Sequence, residues 1–517
     1  MLDHALTLQN RFENTTTAQQ RKPLGQVFTP PTIARYMAGL FSNVAQHYRL
    51  LDPGAGTGVL TAAFCERVLS ASSPVHLSAH LFEFDSSVVP LLTQNMERCQ
   101  HVLEEAGHTF DYVIDERDFV VETATSLDGQ QTFIEHSLPG SFDGVIMNPP
   151  YLKVRKDSEY ARLMNRIVHG QPNLYAFFMA LAAQFLKEQG ELVAITPRSF
   201  CNGLYFRSFR RWFFERMVLR HIHLFESRTD TFRGSGVLQE SIITRSQRSQ
   251  HPAARINVTT SLGQELCDNQ TRFDIPTEEV LDNTSGNLVI RIPSDLEDLG
   301  IMRTIESLPH NFEETGLRIS TGPVVMFRAT NHLLNTDDAA NAVPLLHPHN
   351  VKPFESVWPL SKNGKPMAVR MCEESRRLLI PVRNYVLLKR FSAKEEKRRL
   401  TAGCYLARES THTFIGLENH LNYVYHSDRE LSVNETFGVA AFFNSELVDR
   451  YFRMISGNTQ VNATEIRTMS FPEMETIARI GKRVRPNLDD AELVVLDELG
   501  INGEIRQCLT GGRNEKA

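Results

Sequence analysis

The sequence predicts an α/β fold in which a mostly parallel, doubly wound sheet is followed by a C-terminal α+β domain. Three observations support this prediction. Short apolar runs alternate with helix-like segments from about residue 49 to residue 244, as in a parallel sheet covered on both faces. A glycine-rich turn directly follows the first apolar run. After about residue 254 the alternation gives way to polar, turn-rich sequence, and we place a domain boundary near residue 290.

The predicted elements of the first region follow one another in a regular order. The strand YRLLD leads through the glycine turn to VLTAAFCERVLSA, which has helical periodicity. The strand HLSAHLFEFD precedes a predicted helix that begins at a Ser86 cap and stops at Gly107. Further predicted strands are YVIDERDF, FDGVIMN and ELVAITP. A later predicted strand, VLQESIITR, shows a stronger alternation of apolar and polar residues than the others. NLYAFFMALAAQFLKEQG is predicted as one amphipathic helix that ends at its glycine.

Composition narrows the class of protein. The chain is 41% hydrophobic and 22% charged, and its 517 residues predict two to four domains at roughly 100–200 residues each. No apolar run approaches the ~18 residues of a membrane helix, and the polar N-terminus does not resemble a signal peptide. We therefore expect a cytoplasmic protein with no membrane partner, and a flexible N-terminus over residues 1–20. Seven cysteines without CxxC spacing argue against a zinc site and a disulfide framework.

Charge is unevenly distributed along the chain. The net charge is −6, but residues 376–399, which we name the basic stripe, hold nine Lys or Arg and two Glu. The stripe thus carries +7 and the remainder −13. A basic stripe on an acidic body suits a protein that touches phosphate groups on one face. A solvated helix face is the competing interpretation.

The glycine turn DPGAGTG lies where a doubly wound sheet binds its ligand, beyond the carboxyl end of a strand. Gly54, Gly56 and Gly58 permit a tight turn and close ligand approach. Their spacing differs from the GxGxxG of dinucleotide folds, and no Walker-type GK[ST] follows, so phosphate binding is not favoured. A purely structural turn is the alternative.

Acidic residues stand at the ends of three successive predicted strands. Asp52, just before the glycine turn, is placed to bind a cationic amine, and Glu83 is placed to bind ribose hydroxyls. Asp118 is placed to accept from an adenine amino group while Phe119 packs on the ring. Taken alone, each of these acidic residues is most simply explained as an ordinary loop residue. Together they describe a nucleoside with a cationic, amine-bearing tail, which is S-adenosylmethionine (AdoMet).

The strand DGVIM breaks at Asn148-Pro149-Pro150-Tyr151, a sequence for which a buried strand has no structural need. Two prolines hold a rigid turn whose carbonyls face outward. The Asn148 amide oxygen and the Pro149 carbonyl then present two acceptors side by side, which fits an exocyclic NH2 group. Accepting both hydrogens turns the nitrogen lone pair toward a methyl donor, while Tyr151 stacks on the ring that bears the amine. A proline-rich turn with a cap-like asparagine is the competing interpretation.

Three motifs carry a family resemblance. LLDPGAGTG, NPPY and GQVFTP (residues 25–30) resemble the amino-group methyltransferases of DNA, and their order is similar to that of the gamma-class N6-adenine enzymes of type II restriction–modification systems. The resemblance implies a Rossmann-like, AdoMet-dependent methyltransferase domain over residues 21–290 and a DNA target-recognition domain over residues 291–517. It also implies N6 methylation of an adenine flipped out of double-stranded DNA in a bacterial cytoplasm, with a separate restriction endonuclease as functional partner.

The resemblance assigns roles to individual residues. Cofactor binding falls on Thr29, Asp52, Gly54, Gly56, Gly58, Glu83, Asp118 and Phe119. Thr29 would bind the methionine carboxylate. The target base would be handled by Asn148, Pro149, Pro150 and Tyr151, and Phe232 in the late loop would stack on its other face. Core packing is the alternative for Phe232. No metal ion is expected.

DNA contacts are expected in two segments of the C-terminal domain. Basic side chains of the stripe would position the phosphate backbone: Lys389, Arg390, Lys394 and Arg398. The segment SGNTQVNATEIR offers side chains that could contact base edges, namely Asn458, Gln460 and Arg467. A capped turn before a helix explains this segment equally well.

Four alternatives stay open from sequence. NPPY with a glycine turn also occurs in methyltransferases of RNA and of protein glutamine. The chain could instead be an inert DNA-binding specificity subunit, although its NPPY and glycine turn are intact. It could also be a fused enzyme that cuts DNA, with Glu395-Glu396-Lys397 as the only suggestive fragment. N4-cytosine is the alternative target, because the same pair of acceptors suits that amine.

Overall fold

The structure is a computed structural model that describes residues 1–16, 28–124, 140–165, 167, 173–225, 240–261, 263, 271–283, 286–337, 339, 341–360, 362, 364–392, 396–456 and 460–511. The chain forms two compact units, Met1–Ser294 and Asp295–Ala517. Among the described residues, no helix has the length and apolar character needed to cross a membrane.

A nine-stranded sheet forms the centre of the first unit. Its strands are β1 (His47–Pro53), β2 (His76–Phe82), β3 (Thr109–Asp115), β4 (Phe142–Met147), β5 (Leu186–Pro197), β6 (Met217–Phe225), β7 (Ser241–Arg248), β8 (Arg255–Ser261) and β9 (Thr271–Pro276). They pair in the order β3-β2-β1-β4-β5-β7-β6-β8-β9, and β7 and β9 run antiparallel to the other seven. The predicted mostly parallel α/β sheet is confirmed. The strand order reverses between β1 and β4, where such sheets bind ligands.

Helices cover the sheet on two sides. The helices of this unit are α1 (Leu2–Thr15), α2 (Pro31–Gly39), α3 (Val59–Val68), α4 (Val89–Glu105), α5 (Phe119–Thr123), α6 (Glu159–Leu163), α7 (Leu174–Phe185), α8 (Arg207–Phe214) and α9 (Thr277–Val280), and a short pair of strands, β10 (Leu281–Asp282) and β11 (Val289–Ile290), follows. Buried residues of α1–α4 share one core with Ile243 of β7. Its neighbour Ile242 lies with Met179 of α7 and Phe213 of α8, because successive strand residues point to opposite faces.

The N-terminus differs from the sequence prediction. Residues 1–20 were expected to be flexible, but Leu2–Thr15 form α1. The apolar residues Leu2, Ala5, Leu8 and Phe12 recur at helical spacing and are buried. Leu2 and Ala5 belong to the core beneath α2–α4, so burial of this apolar face holds the helix in place.

Two predicted helix ends are also wrong. Ser86 does not cap α4, which begins at Val89; Asp85 organises the preceding turn and accepts the Ser87 N–H at 3.0 Å. The helix that follows Asn173 ends at Phe185 instead of the predicted glycine, because Leu186 pairs with Phe142 and starts β5. Eleven of the twelve residues of α7 are buried, so this helix is apolar on all sides and not amphipathic.

The second unit mixes helices and strands, as predicted. Its strands are β12 (His310–Asn311), β13 (Leu317–Thr321), β14 (Leu333–Leu334), β15 (Ala342–Leu346), β16 (Val351–Lys352), β17 (Glu355–Ser356), β18 (Ala368–Arg370), β19 (Leu379–Pro381), β20 (Tyr385–Lys389), β21 (Ala402–Tyr405), β22 (Phe414–Leu417), β23 (Leu421–His426) and β24 (Ser470–Phe471). Its helices are α10 (Leu296–Glu306), α11 (Val433–Asn444), α12 (Glu446–Ile455), α13 (Ala463–Arg467), α14 (Met474–Val484), α15 (Ala491–Glu498) and α16 (Gly503–Gly511). The two larger sheets are β13-β23-β20-β21 and β14-β18-β15-β22-β19.

Helices α11 and α14 cross at two glycines, which predicts a stability effect. A Cβ at Gly481 would overlap the Asn434 carbonyl oxygen, and one at Gly438 would overlap the Ile477 carbonyl oxygen. Gly481→Ala should therefore force the helices apart and destabilise the unit by about 3 kcal/mol or more. Thermal unfolding, with Gly511→Ala as the control because a Cβ there meets no atom within 4 Å, measures the effect. Equal melting temperatures for both variants would contradict this prediction.

Candidate active site

A cavity opens at the carboxyl edge of the sheet, where the strand order reverses. Its empty volume, including its open mouth, is about 860 Å³. Residues that follow β1, β2, β3 and β4 line it, together with residues of α1 and of the segment before α2. Eight residues predicted from sequence lie in its wall: Thr29, Gly54, Gly56, Glu83, Asp118, Phe119, Asn148 and Pro150. Four others do not: Asp52, Gly58, Pro149 and Tyr151.

Glu83 ties the glycine turn to the end of β2. Its Oε2 accepts the Gly56 N–H at 2.9 Å, and its Oε1 accepts the Asp85 N–H at 2.9 Å. Burial raises the pKa of this carboxyl, whereas the backbone donors oppose the rise. Glu83 therefore shapes the turn, and its carboxylate still faces the cavity as an acceptor for hydroxyl donors.

Gly58 does not line the cavity, and its lack of a side chain is instead required for helix packing. It precedes α3 with φ +79°, a conformation that glycine adopts without strain. A Cβ at this position would lie 2.7 Å from Met96 Cε and 2.8 Å from Leu92 Cδ1. The third glycine of the turn thus permits α3 and α4 to approach each other.

Asp52 lies at the end of β1 and is fully buried. Its Oδ2 accepts the Thr61 hydroxyl at 2.7 Å, whereas its Oδ1 has no hydrogen-bond partner among the described residues. Burial raises the pKa of Asp52 to about 7, and the nearby Glu83 carboxylate adds to the rise. A buried carboxylate with one unsatisfied oxygen is suited to a cationic partner.

Asp118 and Phe119 follow β3 and form another wall of the cavity. Asp118 caps α5, because its Oδ1 accepts the N–H groups of Val120 and Val121 at 2.9 and 3.0 Å. Its Oδ2 accepts the hydroxyl of Tyr160 in α6. The Phe119 ring lies 5.1 Å from the ring of Phe178, so an apolar surface adjoins the carboxylate.

Asn148 links the two motifs that flank the cavity. Its Nδ2 donates to Thr29 Oγ1 at 3.0 Å, and its Oδ1 accepts the Tyr151 hydroxyl at 2.9 Å. Burial raises the pKa of Tyr151, which therefore stays a neutral donor. The Asn148 Oδ1 is therefore placed as an acceptor, the role that the sequence predicts for it. The amide is thus held at both ends, by Thr29 and by the Tyr151 hydroxyl.

Sequence reasoning missed several residues of the wall. Gln9 of α1 reaches the cavity, and the helical spacing of the apolar residues around it was the available signal. Phe28 lines the cavity and packs edge-on against Phe12 of α1, with ring centroids 5.8 Å apart. The wall further includes Phe82, Phe84, Arg117 and Phe178. No local signal identifies Phe178, because it lies in a helix that is buried all round.

In the second unit, the basic stripe meets the segment around residue 460. Phe391 forms an antiparallel bridge with Gln460, and the Val461 N–H donates to the Arg390 carbonyl at 2.7 Å. The Arg390 guanidinium donates to the Asn419 carbonyl at 3.1 Å and to Gln460 Oε1 at 3.5 Å. Arg390 therefore holds this corner together, in addition to the phosphate contact expected of it.

The other predicted DNA contacts are placed as follows. Lys389 and Arg398 are half-buried. Arg467 donates to the Ile319 carbonyl at 2.8 Å and lies 3.6 Å from Glu313. Three predicted residues lie outside the described residues: Phe232, Lys394 and Asn458. Within the described residues, no group of three or more His, Cys, Asp or Glu could hold a metal ion.

Comparisons with known proteins agree with this geometry. The family described as Eco57I restriction-modification methylase matches residues 76–232. Type II methyltransferase M.PstI of Providencia stuartii is 34% identical over 482 residues, which are 93% of this chain and 92% of that protein. Type II methyltransferase M.BsuBI of Bacillus subtilis is 33% identical over 481 residues, 93% of each chain.

A solved structure supports the fold. The type IIL restriction-modification enzyme MmeI, solved in complex with DNA, matches with a TM-score of 0.52 and 10% identity, over 100% of this chain and 76% of that one. This match bears on the fold alone. The two relatives align along nearly the whole sequence, including both units. The chain therefore belongs to the type II methyltransferases of restriction–modification systems.

Proposed function

We propose that this protein transfers a methyl group from AdoMet to the N6 amino group of an adenine that is flipped out of double-stranded DNA. The observation that carries the proposal is Asn148, an amide at the cavity wall whose nitrogen donates to Thr29 and whose oxygen accepts the Tyr151 hydroxyl. In a restriction–modification system this reaction would protect host DNA from a separate endonuclease.

The cavity fits AdoMet. Its wall combines the Glu83 and Asp118 carboxylates with the rings of Phe119 and Phe178, which suits a ribose and an adenine. Asp52 does not line the cavity, but it lies at the end of β1 directly before the glycine turn that does, and its unsatisfied Oδ1 suits the methionine amine. Thr29 can donate its hydroxyl hydrogen to the methionine carboxylate while its oxygen accepts from Asn148. AdoMet supplies an electrophilic methyl group when it is bound.

Asn148 and the Pro149 carbonyl would act on the target amine. Each accepts one N6 hydrogen, which draws the lone pair out of conjugation with the ring and directs it at the methyl carbon. The N–C bond forms as the S–C bond breaks, and the amine proton is lost afterwards, so no base is required before attack. The prolines limit the freedom of the turn, which keeps these acceptors in place before the reaction.

The second unit would recognise the DNA sequence. Lys389 and Gln460 lie at the corner that Arg390 holds together, so side chains that would contact phosphates and side chains that would contact bases are adjacent there. MmeI, which shares the fold, was solved in complex with DNA. Flipping the adenine would cost a few kcal/mol, which stacking on Tyr151 offsets by about 1–3 kcal/mol.

The test is to identify the methylated base. Purified protein is incubated with unmethylated genomic DNA and methyl-labelled AdoMet, and the DNA is then hydrolysed to nucleosides. We expect label in N6-methyladenine, and sequencing of modified sites then gives the target. Label in N4-methylcytosine would mean that the target base is cytosine, whose amine would be held by the same two hydrogen-bond acceptors. AdoMet binding without label in DNA would refute the proposal and favour RNA or protein glutamine as substrate.

A further inference from the structure

A turn between β5 and α8 exposes two large apolar side chains. Leu204 and Tyr205 are 51% and 59% exposed, whereas the next residue, Phe206, is buried. Single exposed apolar residues are common on protein surfaces, so exposure alone carries no conclusion. Three further features of this turn, which we name the apolar tip (residues 204–205), distinguish it.

The apolar tip is held rigidly by a buried arginine. The guanidinium of Arg210 donates to the carbonyls of Phe200 and Gly203, both at 2.8 Å, and these residues precede the tip. It also donates to the carbonyls of Asn287 and Leu288. A buried guanidinium that donates four hydrogen bonds to backbone carbonyls restrains the chain before the tip, and Arg210 itself follows the tip. The tip is therefore displayed in one position.

Two aromatic contacts connect the chain beside the apolar tip to Tyr151, which is predicted to hold the target base. The Phe206 ring stacks on Tyr175 with centroids 5.6 Å apart, and Tyr175 packs edge-on against Tyr151 at 6.4 Å. The Tyr175 hydroxyl lies 2.9 Å from Ser199 Oγ in the same loop as the tip. The Tyr175 ring thus lies between Tyr151 and Phe206, the residue that follows the tip.

The charge around the apolar tip suits a phosphate-bearing partner. From residue 198 to residue 214 the chain contains four arginines and no Asp or Glu. Arg198 is paired with Glu240 and Arg210 is buried, whereas Arg207 and Arg211 are exposed and each also donates to the Gly286 carbonyl. Exposed guanidinium groups beside rigid apolar side chains match a duplex, which offers phosphates outside and base faces inside.

We propose that Leu204 and Tyr205 contact duplex DNA beside the target adenine and occupy the space that the flipped base leaves. This inference rests on the proposed function. Apolar side chains that enter a base stack offset the loss of stacking when a base leaves it. The tip would thus favour the flipped state and would leave AdoMet binding unchanged.

The experiment compares two duplexes with two variants. One duplex carries the sequence that the wild type modifies, and the other has the same adenine opposite an abasic site, so that it is already unpaired. The variants are a Leu204→Ala/Tyr205→Ala double substitution and Val113→Ala, which removes an exposed apolar side chain from edge strand β3. Methylation rates and AdoMet affinity are measured for both.

The double variant should lose about tenfold to a hundredfold in methylation of the paired duplex, the range that base stacking contributes. It should stay within about threefold of wild type on the unpaired duplex, because flipping no longer limits the reaction. Wild-type rates on the paired duplex, or an equal loss on both duplexes, would overturn the inference. If the wild type labels no DNA at all, the proposed function itself fails, and this inference falls with it.

Discussion

Asn148→Ala should lower the rate of methyl transfer by a factor on the order of 10²–10³, the loss seen when one pre-organised hydrogen-bonding group is removed from an active site. The amide oxygen that would accept the target amine is lost, and so is the contact with Thr29. AdoMet affinity should fall much less than the rate, because Gly56, Glu83 and Phe119 are untouched and Thr29 keeps its own hydroxyl. Single-turnover methylation at saturating AdoMet, with calorimetry for binding, separates the two quantities.

Tyr151→Phe is the matched control for the Asn148 variant. It removes the hydroxyl that donates to Asn148 Oδ1 and keeps the ring that would stack on the base. Because this variant loses one neutral hydrogen bond to an oxygen that remains in place, its methylation rate should fall about tenfold. If Asn148→Ala stays within tenfold of wild type, or weakens AdoMet binding in parallel, the proposed role of the amide is wrong.

The sheet edge can be predicted from sequence because its signals are local. An apolar run that stops at Asp-Pro-Gly or at Asn-Pro-Pro marks a strand end directly, and the structure brings Gly56, Glu83, Asp118 and Asn148 to one cavity. Helix α1 was missed because its polar residues masked a short apolar face. Strand β6 was missed because Arg220, His221 and His223 interrupt its apolar run. Both elements were missed because polar residues weaken the apolar pattern that would have revealed them.

Other features have no local signal at all. Gly58 looks like a cofactor glycine in sequence, and only the approach of Met96 from α4 shows its packing role. The contact between Arg390 and Gln460 joins residues 70 positions apart. Leu186 starts a strand although the residues before it are helical, because its partner is Phe142 of β4. Such features depend on which elements become neighbours, and a single sequence does not contain that information.

Asp52→Asn should make the protein more stable at pH 8. The folded pKa of Asp52 is about 7, against 3.8 for an unperturbed aspartate, so the folded state binds a proton that the unfolded state has released. The stability that depends on this proton is present in full below about pH 4 and is lost as pH rises toward 7. Above pH 7 the buried charge costs about 4 kcal/mol, at about 1.4 kcal/mol per pH unit.

The asparagine removes that charge but leaves a buried amide hydrogen unsatisfied, which costs about 1–3 kcal/mol. The net gain at pH 8 is then about 1–3 kcal/mol in the free energy of unfolding. The gain should shrink as the pH falls and should reverse below about pH 4, where Asp52 is neutral in both the folded and the unfolded state and only the cost of the buried amide remains. Thermal unfolding of both proteins from pH 5 to pH 8 measures the difference. A gain that is independent of pH would show that Asp52 is not the titrating group.

The same substitution should weaken AdoMet binding, and the loss of affinity should be largest at high pH. If the unsatisfied Oδ1 of Asp52 attracts the methionine amine, only the ionised carboxylate binds well, so wild-type affinity should rise from pH 6 to pH 8. Asp52→Asn should lose about tenfold to a hundredfold in affinity at pH 8, as expected for a lost hydrogen bond to a charged group, and should show no such rise. Calorimetry in buffers of different ionisation enthalpy should detect proton release on binding by wild type alone. A variant that is more stable, yet binds AdoMet with the wild-type pH profile, would confine Asp52 to a structural role.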